Sequence, residues 1–123
     1  MALENLGYVR LRQGDAIQAA VCFREALAVA RESDRKDMFA IGLAGLAAVA
    51  NTQGQPELAA RLLGAADVLI TATAIRLAST DRADYDRILA EVRAQLGEEP
   101  FAAAWEARRA MTLEQAIAEA LEQ

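Results

Sequence analysis

The sequence predicts an all-α domain of stacked antiparallel helix hairpins with about seven helices. Three observations support this: the chain is 54% hydrophobic but only 5% aromatic, apolar residues recur at three- and four-residue steps, and glycines follow several of these periodic segments. Alanine and leucine, which favour helices, supply most of the apolar content. We therefore expect closely packed helices in one unit of 123 residues.

The first two helices are predicted on either side of Gly14. Apolar residues between Leu3 and Leu11 precede this glycine, whose missing Cβ suits the left-handed turn that ends a helix. Asp15 is the predicted N-cap of the second helix, which is expected to run to about Glu32. That helix is expected to bury a broad apolar stripe, comprising Ile17, Ala20, Val21, Phe23, Ala26, Leu27 and Ala30.

The next two helices are predicted on either side of Gly54. Pro56 follows this glycine and is favoured at the first position of a helix. The fourth helix loses its pattern over residues 71–80, where we expect a bend or loop. The expected buried positions of this pair are Phe39, Leu43, Leu46, Ala47 and Ala50, then Leu58, Ala59, Leu62, Leu63, Ala66, Leu69 and Ile70.

Three further helices are predicted in the C-terminal part. The fifth begins at Ser79 or Thr80 and ends at Gly97, and the sixth opens near Pro100. Residues 112–115, Thr-Leu-Glu-Gln, form a capping box, because the threonine hydroxyl and the glutamine side chain each satisfy the other's backbone amide. A short seventh helix is therefore expected to follow.

Helix pairs recur along the chain after forty residues, which is typical of units that bury their apolar faces by stacking. Leu6 aligns with Leu46, and Gly14 aligns with Gly54. Four more pairs agree in size class: Gly7 with Ala47, Ala19 with Ala59, Phe23 with Leu63 and Ala26 with Ala66.

A third unit follows but is degenerate. A further step of 43 residues aligns Gly97 with Gly54, yet Glu106 and Arg109 then fall where apolar residues are wanted. We predict one domain over 1–123, with repeats at about 2–32 and 36–73 and a degenerate unit at 80–122.

The first unit carries the signature of a repeat family. Its residues Leu6-Gly7, the turn Gly14-Asp15, and Ala19, Phe23 and Ala26 follow the motif almost position for position, so the chain resembles the tetratricopeptide repeat (TPR) family. The resemblance departs at Leu3 and Arg10, where the family prefers aromatic residues, and at Arg31, where it prefers proline. The spacing also exceeds the roughly 34 residues of the family's standard repeat, which longer helices would explain.

A second resemblance depends on three longer sequence segments. These are residues 6–8 with 13–15, residues 59–66 (Ala-Ala-Arg-Leu-Leu-Gly-Ala-Ala), and residues 101–105 (Phe-Ala-Ala-Ala-Trp) ahead of Leu113-Glu114. They are similar to the C-terminal repeat tails of large bacterial ATPase and LuxR-type transcriptional regulators. That resemblance implies a sensing or interaction tail, whether as a fragment or as a stand-alone relative. ATP and DNA binding would then belong to other segments, and since no Gly-Lys-Ser/Thr phosphate loop occurs here, no cofactor is expected.

The TPR resemblance also implies a partner-binding groove, because the first helix of each pair lines the concave face in that family. The matching positions are Glu4, Tyr8, Leu11 and Arg12 in the first unit and Ala44, Ala48, Asn51 and Thr52 in the second. Arg12 could grip a carboxylate with two parallel hydrogen bonds, and Asn51 could pair with an extended peptide backbone. Alternatively, Arg12 complements the dipole of its helix C-terminus and Asn51 helps to end its helix.

Other candidate residues have simpler structural explanations. Cys22 lies in an apolar helix stripe and is expected to be an inert core residue. Trp105 with Phe101 and Tyr85 is expected to seal the end of the stack, the alternative being an exposed anchor for a partner. The acidic pairs Glu98-Glu99 and Asp84 with Asp86 lack a basic or nucleophilic companion at helical spacing, so capping and a solvated surface explain them. The basic pair Arg108-Arg109 is read as a solvated surface too.

Charge and residue usage exclude several functions. A net charge of −5 and a pI near 4.7 argue against direct nucleic-acid binding. With no histidine and one cysteine, neither a disulfide nor a common zinc site is expected, nor a nucleophile and base for catalysis. No segment has the length of apolar sequence that a membrane span requires. We expect a cytoplasmic protein that is not an enzyme.

Two function classes remain open. The first is a protein interaction or scaffold module that binds a protein, a peptide or other domains of a larger regulator. The second is a ligand-sensing domain that holds a small metabolite between helices. A homodimer is also possible, because the first hairpin lacks a cap and would leave Leu3 in water.

Overall fold

Helices joined by short corners account for the described part of the chain. The computed structural model describes residues 3–73, 79–109 and 115. These residues form six α-helices and no strand, which confirms the all-α class. The helices are α1 (Leu3–Arg12), α2 (Ala16–Glu32), α3 (Lys36–Thr52), α4 (Pro56–Thr73), α5 (Ser79–Leu96) and α6 (Glu98–Arg109).

Two of the predicted elements lie partly or wholly beyond those residues. The predicted seventh helix falls outside the described residues except for Gln115, which is helical. Of the predicted break at 71–80, residues 71–73 continue α4 and the last two begin α5, while 74–78 are not among the described residues.

Three consecutive corners share one hydrogen-bond pattern at intervals of twenty residues. At the first corner, the N–H of Gly14 donates to the carbonyl oxygen of Leu11 at 3.0 Å, and the N–H of Asp15 donates to that of Arg10 at 2.9 Å. This pair of bonds defines a Schellman turn, which satisfies carbonyl groups that the end of a helix leaves without partners. The same bonds recur from Asp34 to Arg31, Arg35 to Ala30, Gly54 to Asn51 and Gln55 to Ala50.

The central residue of each corner has a left-handed backbone. Gly14 has φ 81° and Gly54 has φ 77°, which confirms the prediction that both glycines form hairpin corners. Asp34, with φ 54°, takes the same place between α2 and α3. Asp and Asn adopt this conformation more readily than most side chains do, because a short polar group can bond locally. The helix-plus-corner unit is therefore twenty residues long, half of the repeat seen in the sequence.

The starts of α2 and α4 match the predicted positions, and the start of α6 differs from the predicted one by two residues. The side chain of Asp15 accepts a hydrogen bond from the N–H of Gln18 at 3.1 Å, so Asp15 is the N-cap of α2. Pro56 is the first residue of α4. Helix α6, however, begins at Glu98 rather than at Pro100, directly after the left-handed Gly97. Two glutamates therefore occupy its first turn, where they complement the helix dipole.

The first two hairpins stack, and the C-terminal pair is arranged differently. Each helix from α1 to α4 packs against the next, and α1 also contacts α3. Helix α6 lies mainly against α4, whereas α5 makes smaller contacts with α3, α4 and α6. The helices α5 and α6 therefore pair less closely than those of the first two hairpins. The break in the repeat at Glu106, which is exposed on α6, matches this looser pairing.

Helix α3 is the centre of the molecule. Every residue from Phe39 to Ala50 is buried, whichever side of the helix it occupies. An α-helix that is apolar on all sides needs neighbours on all sides. Helices α1, α2, α4 and α5 provide them.

Glycines allow the first three helices to approach one another. Phe23 of α2 is fully buried, and its ring lies between Gly7 of α1 and Gly45 of α3. A Cβ atom on Gly7 would fall 2.7 Å from the ring, and one on Gly45 would fall 2.3 Å from it. The ring of Tyr8 meets that of Phe23 edge-on, with the centroids 5.0 Å apart and an interplanar angle of 74°. The Phe23 ring thus fills the space that two missing side chains leave.

Candidate interaction surface

An apolar groove opens between α2 and α4, with the C-terminal half of α3 as its floor. Its volume is about 280 Å³. The apolar lining residues are Ile17, Ala20 and Val21 from α2, Leu46, Val49 and Ala50 from α3, and Leu58 and Leu62 from α4. Gln53 and Gln55 line the end of the groove beside the Gly54 corner. Eight of the eleven residues that line the groove are therefore aliphatic, and they come from three helices.

The α2 wall of this groove corrects a sequence-based expectation. Ile17 and Val21 were expected to be buried in the α2 stripe, but the side of α2 that carries them faces outward. Ile17 is 72% exposed and Val21 is 37% exposed. The members of the stripe that are buried are Ala20, Phe23, Ala26, Leu27 and Ala30. Ile17 and Val21 lie one turn apart and form a ridge of apolar surface along the groove.

The repeat register contains a signal that identifies this outward position. Forty residues further on, the equivalents of Ile17 and Val21 are Glu57 and Arg61, which are polar. A position that is polar in one stacked unit faces solvent in that unit, so an apolar residue at the same position in another unit is exposed as well. Helical periodicity within α2 alone does not separate this position from the buried stripe.

Arg24 is the charged residue at the groove. Among the described residues that line the groove, it alone carries a charge. Its Nε is sealed from solvent, and no hydrogen-bond partner for this atom exists in the described part of the chain. A buried donor without a partner costs free energy. The sealed Nε is closed to a partner, but Arg24 as a whole is only half-buried, so the outer N–H groups of its guanidinium can donate to an acceptor from outside the domain.

Two other depressions have cations that are already paired. One, of about 230 Å³ between α1, α2 and α3, includes Arg35. The guanidinium of Arg35 donates two hydrogen bonds to the carboxylate of Asp37, at 3.0 and 2.9 Å. A second, of about 520 Å³ along α5, includes Arg93, which donates to Glu98 at 2.9 Å and lies over the ring of Phe101. Arg24 differs from both arginines because no carboxylate of the described residues pairs with it.

The structure distributes the predicted concave-groove residues between core and surface. Tyr8, Ala44 and Ala48 are buried. Leu11 and Asn51 are half-buried, and Arg12 and Thr52 are exposed. The side chain of Glu4 lies outside what the structure describes. Tyr8 and Ala48 therefore offer a partner almost no surface, and binding by the remaining residues stays a prediction.

Besides the Nε of Arg24, three buried polar atoms have no hydrogen-bond partner within the described ranges. They are the Oδ1 of Asn51, at the end of α3, the Nε of Arg61, on α4, and the hydroxyl of Tyr85, on α5. Burial raises the pKa of Tyr85 far above its ordinary value, and the nearby carboxylate of Asp67 adds to this effect. The hydroxyl is therefore neutral and can act as a donor or an acceptor.

Cys22, the aromatic cluster and the acidic pair on α5 have the structural roles expected of them, whereas the side chains of Arg108 and Arg109 lie outside what the structure describes. Cys22 is buried. Phe101 is buried with its ring 5.4 Å from that of Trp105, and Trp105 packs against the core instead of projecting as an anchor. The carboxylates of Asp84 and Asp86 form surface ion pairs with arginines of the same helix.

The described residues contain neither a candidate metal cluster nor a helix that could span a membrane. No group of three or more potential ligands from His, Cys, Asp and Glu is close enough to hold a metal ion there. No helix within the same ranges combines the length and the apolar character that crossing a bilayer demands.

Comparisons with known proteins leave the family resemblance as a prediction. No protein-family model, no curated protein and no solved structure matches this chain.

Proposed function

We propose that this domain is a protein interaction or scaffold module, the TPR-like tail of a bacterial signalling or transcriptional regulator that acts in the cytoplasm. The observation that carries this proposal is the exposed apolar ridge of Ile17 and Val21 beside the groove. These two aliphatic side chains are 72% and 37% exposed, and a partner that covers them removes apolar surface from water, which stabilises the complex. Binding is the whole activity in this proposal, with no catalysis, cofactor, nucleic acid or membrane.

The exposed border of the groove favours side chains of a protein over a free metabolite. Pockets for small molecules usually have volumes of about 300–1,000 Å³ and enclose most of the ligand. The α2–α4 groove has about 280 Å³ and is bordered by exposed side chains. A side chain of a partner protein needs to be only partly enclosed by the groove, since the partner's backbone stays outside the groove and makes further contacts.

The partner is a protein, a peptide or another domain of the same regulator, and self-association is one form of this proposal. Leu3 and Val29 border the depression between α1, α2 and α3, and Val29 is 54% exposed. A homodimer through this end would cover both residues. Light scattering that gives the mass of two chains, reduced to one by Val29→Asp, supports such a dimer, and a constant monomer contradicts it.

Site-specific photo-crosslinking tests the main proposal. A photoreactive residue replaces Ile17 in the full chain inside the cell that encodes it, and the control replaces Glu25, an exposed residue of the same helix that lines neither depression. The proposal expects one discrete protein adduct from position 17 that Val21→Asp abolishes. Adducts of equal pattern from both positions, or none from position 17, would contradict binding at this surface.

A ligand-sensing role is the second candidate, favoured by the sealed Asn51 Oδ1 and Tyr85 hydroxyl. Buried polar atoms usually have a partner, and a metabolite between helices could supply one. A thermal-shift screen of metabolites tests this role. A specific ligand at 100 times its Kd adds about 2.7 kcal/mol of stability, and Tyr85→Phe would reduce that gain.

A further inference from the structure

We infer that the α2–α4 groove binds an amphipathic helix whose two apolar side chains, one turn apart, enter the groove and whose Asp or Glu pairs with Arg24. This inference rests on the proposed function and specifies the chemistry of the partner.

The charge of the partner follows from Arg24. A guanidinium is charged at all physiological pH values and presents its donors in a planar fork that matches a carboxylate. Arg24 is half-buried in the wall of the groove, and no carboxylate of the described residues forms an ion pair with it. Its Nε is sealed, so a partner's carboxylate would pair with Nη1 or Nη2. Arg35 and Arg93, at the other depressions, already have carboxylate partners from this chain. A carboxylate from outside would complete the same arrangement at Arg24.

The geometry of the walls favours a helix over an extended peptide. Ile17 and Val21 are spaced by one helical turn on α2, and Leu58 and Leu62 have the same spacing on α4. A third helix packs onto such ridges with its own side chains at four-residue spacing. An extended peptide, by contrast, gains affinity mainly from unpaired backbone groups of a sheet edge. Helical walls have their backbone groups bonded within each helix.

The net charge of the chain limits the rest of the partner. The chain carries −5 at pH 7, so an acidic partner is repelled at long range. The partner helix is therefore expected to carry one acidic residue near its apolar pair and to be neutral or basic on its outer face. A uniformly acidic helix fits less well.

A peptide selection tests the inference with the complete 123-residue chain. The probe is a displayed library of random helical peptides of about 16 residues, long enough to populate a helix. We expect selected peptides to share two apolar residues four positions apart and one Asp or Glu within a turn or two of them. The affinity of one such peptide is then measured by fluorescence polarisation.

Matched variants identify the contacts. Arg24→Gln is expected to raise the Kd about tenfold, as removal of one charge-assisted hydrogen bond typically does. Ile17→Ser is expected to raise it as well. The controls Arg31→Gln and Glu25→Gln, at exposed positions of the same helix that do not line the groove, should leave the Kd unchanged. Replacing the peptide's own Glu by Gln should raise the Kd as much as Arg24→Gln does, and the two changes together should cost no more than either alone.

The outcomes separate the inference from the proposed function. If selected peptides lose affinity for Ile17→Ser but bind Arg24→Gln with the original Kd, the pairing of an acidic residue with Arg24 is wrong and the interaction module stands. If they bind Ile17→Ser with the original Kd, the α2–α4 groove is not the binding site. The peptide-side Glu→Gln change does not alter the domain, so it stays decisive even if Arg24→Gln unfolds the chain. Failure to select any binder, together with a metabolite that stabilises the chain, would overturn the proposed function itself.

Discussion

Phe23 and Gly45 fit together so closely that a methyl group on Gly45 would lie 2.3 Å from the carbons of the Phe23 ring. The ring comes from α2 and the glycine from α3, so the missing side chain of Gly45 allows the two helices to lie this close. Gly7 of α1 makes the same kind of contact with the ring, and two of the ring carbons are near both glycines. Three helices therefore meet at one aromatic side chain.

Gly45→Ala is expected to destabilise the fold, although alanine is the better helix former. Overpacking a core costs about 1–3 kcal/mol, whereas the gain in helix propensity is at most about 1 kcal/mol. Urea unfolding followed by circular dichroism measures the net loss. The exposed Ala28→Gly change on α2 calibrates the propensity difference.

A partner substitution makes the Gly45 prediction specific. In a Phe23→Leu background the ring is gone, so Gly45→Ala should cost less than in the original chain. If Gly45→Ala left the unfolding free energy unchanged or raised it in the original chain, the close contact described here would be wrong.

The three similar corners predict opposite effects of two substitutions. Gly54→Ala should cost about 1 kcal/mol, because a side chain in the left-handed region is strained even where it meets no atom. Asp34→Gly should stabilise the chain by about 0.5 kcal/mol, because glycine relieves the same strain at φ 54°. Thermal unfolding of both variants measures the difference.

Asp34 also forms an ion pair with Lys36 at 3.0 Å, and Lys36→Gln is the control for its loss. That pair is exposed and should contribute little. An Asp34→Gly chain less stable than both the original and the Lys36→Gln chain would show that Asp34 stabilises its corner by other means.

Ile17 and Leu27 lie on the same helix, and their substitution should have very different effects on stability. Leu27 is fully buried in the core, so Leu27→Ala should lower the free energy of unfolding by about 2–5 kcal/mol. Ile17→Ser should change stability by less than about 0.5 kcal/mol, because Ile17 is 72% exposed. Equal losses in urea unfolding would place Ile17 in the core after all.

The pKa of Asp37 should lie below its ordinary value of 3.8, because the side chain of Arg35 donates hydrogen bonds to the ionised carboxylate. A carboxyl whose pKa is lower in the folded state stabilises the fold above its unfolded pKa, and this contribution is lost as the pH falls through the folded pKa. An NMR titration of the Asp37 carboxyl carbon measures the shift. Arg35→Gln should return the pKa towards its ordinary value, whereas Lys36→Gln should leave it unchanged, since Lys36 pairs with Asp34. If the pKa of Asp37 is the same in the Arg35→Gln chain as in the original chain, this explanation of the shift is wrong.

Part of the candidate surface could be predicted from the sequence, and part could not. The repeat register, in which Glu57 and Arg61 stand at the positions of Ile17 and Val21, indicates an outward-facing side of α2. The unsatisfied Nε of Arg24 has no such signal, because it depends on which residues of α3 and α4 come near it. The predicted concave groove depended on a family resemblance, and the burial of Tyr8 and Ala48 reflects the packing around α3.

The sequence by itself determined the local structure: the helices, the Asp15 cap, the start at Pro56, and the corners at Gly14 and Gly54. These features depend on the backbone preferences of a few consecutive residues, so the local sequence is enough to specify them. Only the tertiary structure decided that α3 is enclosed on all sides, that α6 lies on α4, and that Ile17 and Arg24 form a groove. Those features arise from contacts between residues distant in the chain, which depend on how the helices fill space around side chains such as Phe23.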